Sequence, residues 1–194
     1  MRRVLACALA LLAAPAAALA HPHVLIDSHV VVQFEGGKIT ALQMGWKFDP
    51  VYSGTLVQDY DADKNATLSA EEIGKMEAEA FQDTAQYSYF TYAKVDGTPL
   101  TWPKAGGFKP FALKDALVYS FRLALPTPVD PRRQAFSLST YEETFYIDID
   151  FANDDAVQLI GDGSAGCRAK ILPDLENKLL GGAVVPKKVE ITCD

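Results

Sequence analysis

Twelve consecutive residues, Asp61 to Glu72, place oxygen-bearing side chains at alternate positions: Asp61, Asp63, Asn65, Thr67 and Ser69, with Glu72 closing the series. Oxygens two residues apart can turn to one side of a tight loop, and a glutamate three residues further on can reach back from a following helix. A hard divalent cation such as calcium asks for six to eight oxygens of this kind. Here Thr67 would offer its backbone carbonyl, Ser69 a direct or water-bridged donor, and Glu72 a bidentate carboxylate. The bland alternative is an acidic turn followed by a Ser69–Glu72 capping box, which accounts for only half of these residues.

A second concentration of chemistry lies near the start. All three histidines, His21, His23 and His29, fall within nine residues, and their odd numbering puts them with Asp27 on one face of an extended strand. Same-face neighbours in a strand lie about 6.6 Å apart, so His21 and His23 form the nearer pair for nickel, cobalt, copper or zinc. Asp27 and His29 are lesser candidates, because His29 sits about 20 Å along the strand from His23. Cleavage after Ala20 would add the α-amine of His21, an amine-plus-imidazole set resembling the histidine brace of copper proteins. The motif with histidine third is excluded, since Pro22 has no amide proton to lose. The plain alternative leaves these histidines as solvated strand residues.

Other candidates are weaker. Asp148 and Asp150, with Asp154 and Asp155 nearby, read as the solvated face and turn of an edge strand. Tyr87, Tyr89, Phe90 and Tyr92 read as core and cross-strand pairs rather than a ligand platform. No Gly-x-Ser-x-Gly, phosphate-binding glycine loop or His-Glu-x-x-His occurs in the chain, and the expectation is that it is not an enzyme.

The elements that must position these groups follow from periodicity. Val24, Ile26, Val30, Val32 and Phe34 alternate with polar residues, so the first strand is half buried. A turn at Glu35 to Lys38 returns it as a hairpin through Phe48. Asp49-Pro50 opens a short helix to about Tyr60. Ser69 and Glu72 open a second, with Ile73, Met76, Ala80 and Thr84 inward, ending near Gln86. Strands follow at Tyr87–Val95, Phe108–Leu113, Leu117–Leu125, Phe136–Thr140 and Phe145–Phe151, with surface loops at Pro126-x-Pro128 and Gly161 to Gly166. The expected fold is α+β: mainly an antiparallel β-sandwich in a single domain over 21–194, with a helical hairpin inserted at about 49–86.

The chain has 194 residues, 49% hydrophobic and 22% charged, enough for a substantial core. Met1-Arg2-Arg3, the apolar run Val4 to Ala14 and Ala18-Leu19-Ala20 read as a secretory signal peptide over residues 1–20. No later stretch approaches the roughly 20 apolar residues of a membrane helix. Removing Arg2 and Arg3 leaves 16 basic residues against 25 acidic, a net charge of −9, which argues against a nucleic-acid partner. Cys7 leaves with the leader, and Cys167 with Cys193 remains as a pair for which a disulfide is the default in an oxidising periplasmic or secreted setting.

Asp61 to Glu72 resembles the EF-hand loop, with Leu68 at its usual apolar position. It departs at Ala66, where the family carries glycine in a positive-φ conformation. The whole chain after the leader resembles a family of short bacterial periplasmic proteins of unknown function, described as the periplasmic component of an uncharacterised ABC-type transport system. The resemblance rests on Ala20-His21-Pro22-His23-Val24, Ile26-Asp27, the Asp61–Glu72 loop and Tyr146-x-Asp148. It implies an inner-membrane transporter or permease of the nickel/cobalt type as partner, and a periplasmic accessory protein that handles a divalent transition-metal ion. The competing expectation is a calcium-stabilised protein-interaction module whose histidines are incidental.

Overall fold

The computed structural model describes residues 23–194; the expected leader, with His21 and Pro22, lies outside the described residues. From Val24 to Glu35 (β1) inward and outward positions alternate, with Val24, Ile26, Ser28, Val30, Val32 and Phe34 buried. That alternation is what a strand with one face on a core requires. The chain reverses at Gly36-Gly37, both at positive φ, and returns antiparallel as Lys38–Phe48 (β2).

Two helices follow, Pro50–Tyr60 (α1) and Ala70–Met76 (α2). The Oδ1 of Asp49 accepts from the amides of Val51 at 2.9 Å and Tyr52 at 3.0 Å, capping α1, while its Oδ2 accepts from Leu25 at 3.0 Å. One carboxylate thus starts the helix and ties it to β1. Beyond Met76 the helix widens into a π segment, Glu77–Phe81, then tightens into a 3₁₀ segment, Gln82–Phe90. The π segment shifts the phase of the helix by about one residue. Phe81 is therefore fully buried, whereas Ala80, the position expected from an uninterrupted helical period, is only half buried.

The remaining strands are Thr91–Val95 (β3), Thr98–Pro99 (β4), Gly106–Leu113 (β5), Ala116–Val129 (β6), Phe136–Thr140 (β7), Ile147–Phe151 (β8), Val157–Gly161 (β9), Cys167–Pro173 (β10) and Lys187–Cys193 (β11). One sheet runs β5-β6-β2-β1, with β8 and then β9 lying parallel to β1 along its far edge. The other runs β10-β11-β7-β3-β4 and is antiparallel. The molecule is α+β and mostly strand, and its first sheet is mixed rather than antiparallel. A parallel partner needs a long connection, and more than a hundred residues separate β1 from β8.

Two further expectations are corrected. The strand expected from Tyr87 begins at Thr91, because Ser88, Tyr89 and Phe90 take positive φ values of 55°, 51° and 46° and turn the chain. Pro126 and Pro128 lie within β6, where the register with β2 shifts and the missing amides break no ladder. Strands β9, β10 and β11 were not expected, their exposed positions interrupting the apolar pattern.

Both sheets and the helical stretch contribute to one hydrophobic cluster that includes Val30, Trp46 and Phe121 from the first sheet, Leu138 and Val189 from the second, and Met76 and Phe81. The Phe81 ring lies 4.5 Å from Phe108 and 4.7 Å from Phe121 between centroids. Cys167 and Cys193 stand opposite each other on β10 and β11 and form a disulfide. Among the described residues no helix is long and apolar enough to cross a membrane.

Candidate metal centre

The Asp61–Glu72 loop joins α1 to α2. Asp61 ends α1, and its carboxylate folds over the loop, accepting from the amides of Asn65 at 3.1 Å and Ala66 at 2.8 Å. Asp63 accepts from the Asn65 amide at 3.1 Å and from its side chain at 2.7 Å. At the far end Ser69 caps α2 by accepting from Glu72 at 3.3 Å. Glu72 reciprocates, accepting from the amides of Ser69 and Ala62, each at 2.7 Å. These hydrogen bonds, with Ser69 first and Ala62 next, hold the Glu72 carboxyl below its usual range. Leu68 packs against the core cluster and anchors the loop.

One carboxylate oxygen from each of Asp61, Asp63 and Glu72 lies within 4.8 Å of the others. Calcium holds oxygens at about 2.3–2.6 Å, so two oxygens on one ion stand at most about 5 Å apart. The three carboxylates meet that limit. Each oxygen also retains lone-pair capacity beyond the amide it already accepts. Asp61 and Glu72 are buried, at 7% and 8% exposure, and Lys64, on the loop itself, pairs with none of the three. Ala66 sits at φ 64°, the left-handed conformation for which the sequence pattern calls for glycine. The other expected donors are differently engaged: the Asn65 side-chain oxygen accepts from the amide and hydroxyl of Thr67, and the Ser69 hydroxyl serves the helix cap.

The histidine face is arranged otherwise. His23, Asp27 and His29 point outward together from β1. Asp27 pairs with Lys47 at 3.2 Å, and His29 stands opposite Gly45, where an added Cβ would lie 3.7 Å from the His29 Cβ. β1 begins at Val24, just after His23, and stays extended past His29, so the two rings do not converge. His23 instead packs at a tilt against Tyr146, with ring centroids 4.7 Å apart at 32° and its amide bonded to the Tyr146 carbonyl at 2.9 Å. Among the described residues, Asp61, Asp63 and Glu72 are where three metal-ligating side chains come together.

Asp150 pairs with Lys187 across the two sheets at 2.6 Å. Burial pushes the Asp148 carboxyl up, Asp150 adds to this, and Lys187 opposes it. The tyrosines divide. Tyr89 and Phe90 are buried, and Tyr92 stacks on Tyr141 at 4.2 Å, but Tyr87 stands 53% exposed. Its surface position escaped the sequence reading because the π segment and the left-handed turn at Ser88 both break the period that placed it inside.

The family described as "Protein of unknown function (DUF1007)" matches residues 6–181 of the chain. An uncharacterised protein of Haemophilus influenzae is 29% identical over 168 residues, covering 83% of this chain and 77% of its own length. No solved structure matches the chain.

Proposed function

The chain belongs to the DUF1007 family of proteins of unknown function, and from that premise we propose that it is an exported, calcium-stabilised interaction module, released into the periplasm by cleavage after Ala20. The observation that carries this reading is the convergence of Asp61, Asp63 and Glu72 around a loop whose sixth residue, Ala66, already holds the left-handed conformation. The Cys167–Cys193 disulfide agrees with an oxidising compartment. Calcium bound at this EF-hand-like loop ties the end of α1 to the start of α2. A single such loop, without a paired one, stabilises the insert rather than reporting a signal. Isolated extracellular sites bind at about 10⁻⁴–10⁻³ M. Calorimetric titration with calcium, paired with thermal unfolding, tests this: saturable binding and a raised Tm are expected, both lost in Asp61→Asn. Unchanged unfolding at calcium concentrations well above that range would overturn it.

A second reading keeps His21 and His23 as ligands for nickel, cobalt, copper or zinc, in an accessory protein serving an inner-membrane permease. It is supported by the outward set of the His23 ring at the very start of β1. Titration of the processed chain with each ion separates the two readings. The second fails if one extra residue before His21, or His23→Ala, leaves binding unchanged.

A further inference from the structure

Beside the helical stretch runs an apolar groove of about 280 Å³ lined by Tyr87, Phe90, Glu142, Thr144, Tyr146 and Ile147. Tyr87 and Tyr146 are 53% and 56% exposed, and they are two of the three strongly exposed aromatic side chains among the described residues, the third being Phe111. Both rings are held in place from behind. Tyr87 lies nearly parallel to Phe90, with centroids 5.9 Å apart at 15°, and Tyr146 rests on His23. Three consecutive non-glycine residues at positive φ, Ser88 to Phe90, turn Tyr87 to the surface while Tyr89 goes inside. Such a run is strained and persists only where the surroundings enforce it. Glu142 orders the other wall, accepting from the amides of Thr144 and Tyr146, each at 2.9 Å.

The helical stretch beside this groove is strongly acidic. Residues 49–90 carry nine carboxylates against Lys64 and Lys75, a surplus of seven that equals the net charge of the entire chain. Asp83 lies four residues before Tyr87 in the same helical stretch and Glu142 is itself part of the groove wall; the fields of Asp59 and Asp83 both reach the Tyr60 phenol, and those of Asp59 and Tyr146 both reach Tyr52. Asp59 and Asp83 are exposed and make no ion pair among the described residues. Rigid, half-exposed tyrosines give large contact area at small entropy cost, and their faces attract guanidinium groups.

We propose that the Tyr87–Tyr146 groove docks a cationic segment of a partner protein, with arginines alternating with apolar residues, so that guanidinium groups lie over the tyrosine rings and reach the carboxylates of Asp59 and Asp83. This names the kind of partner the interaction-module reading requires, and it does not depend on the calcium loop. The probes are a fluorescent peptide of alternating arginine and leucine and its glutamate–leucine counterpart, followed by anisotropy on the mature chain with calcium and with a chelator. Saturable binding of the arginine peptide alone is expected, weakened by salt, reduced roughly tenfold by Tyr87→Ser and several-fold by Asp59→Asn with Asp83→Asn. Tyr87 is exposed, so Tyr87→Ser leaves the core intact, and unchanged thermal unfolding verifies that. The proposal falls if neither peptide saturates, if both bind alike, or if Tyr87→Ser leaves binding unaltered. It also falls if sedimentation shows that Tyr87→Ser abolishes self-association, for the groove then belongs to a second copy. Docking without calcium binding defeats only the calcium reading, and calcium binding without docking defeats only this one.

Discussion

Ala66 holds a conformation that costs an L-residue on the order of 1 kcal/mol relative to glycine. Ala66→Gly is therefore expected to raise stability by about that amount and to tighten calcium binding severalfold, read by denaturant unfolding with and without the ion. Glu72 gives a pH signature. Its carboxyl is held below the ordinary value of 4.5 by Ser69 and Ala62, so its contribution is complete above that value and is lost as pH falls through the lowered one. The Tm difference between the native chain and Glu72→Gln should accordingly be constant near neutrality and shrink in acid; a gap that persists at the lowest pH would refute the assignment. The three carboxylates were legible in the sequence because alternate acidic residues have few other uses. The competing hydrogen bonds of Asn65 and Thr67 were not, since both donors and acceptors there are local and the residue types fit either role.

At the level of elements, Asp49 serves α1 and β1 at once. Burial pushes its carboxyl up, but the amides of Tyr52, Leu25 and Val51 outweigh this and hold it below the usual range. Loss of an N-cap costs about 0.5–2 kcal/mol, and here a tie to a neighbouring strand goes with it, so Asp49→Ala should destabilise by about 2 kcal/mol in chemical denaturation. The cap itself was readable from Asp49-Pro50, whereas the bond to Leu25 depends on tertiary placement. The same division explains the helix that follows. Ser69 and Glu72 fixed where α2 begins, but nothing in the spacing of Met76, Ala80 and Thr84 announced a π segment, because Phe81 takes the inner position only through its fit among Phe108, Phe121 and Trp46.

For the molecule as a whole, the Cys167–Cys193 disulfide closes a loop of 26 residues around the last strand. Cross-links of this span contribute about 3 kcal/mol through the unfolded chain, so mild reduction should lower the unfolding midpoint without removing the folded state. Alternation made the β1–β2 hairpin evident, while the pairing of β1 with β8 and β9 was not, because parallel partners carry no turn between them to mark them. That pairing has a bearing on how the chain is made. As the chain is synthesised, β1 keeps one edge open until residues 147–161 have followed. Its close partners, with Gly161 set so near Phe34 that a methyl group would fall 2.1 Å from the carbonyl oxygen, leave no room for a substitute. Completion of the mixed sheet is thus a late event in synthesis, and a chain halted before Ile147 would present an unpaired ribbon ready to join any other strand in its surroundings.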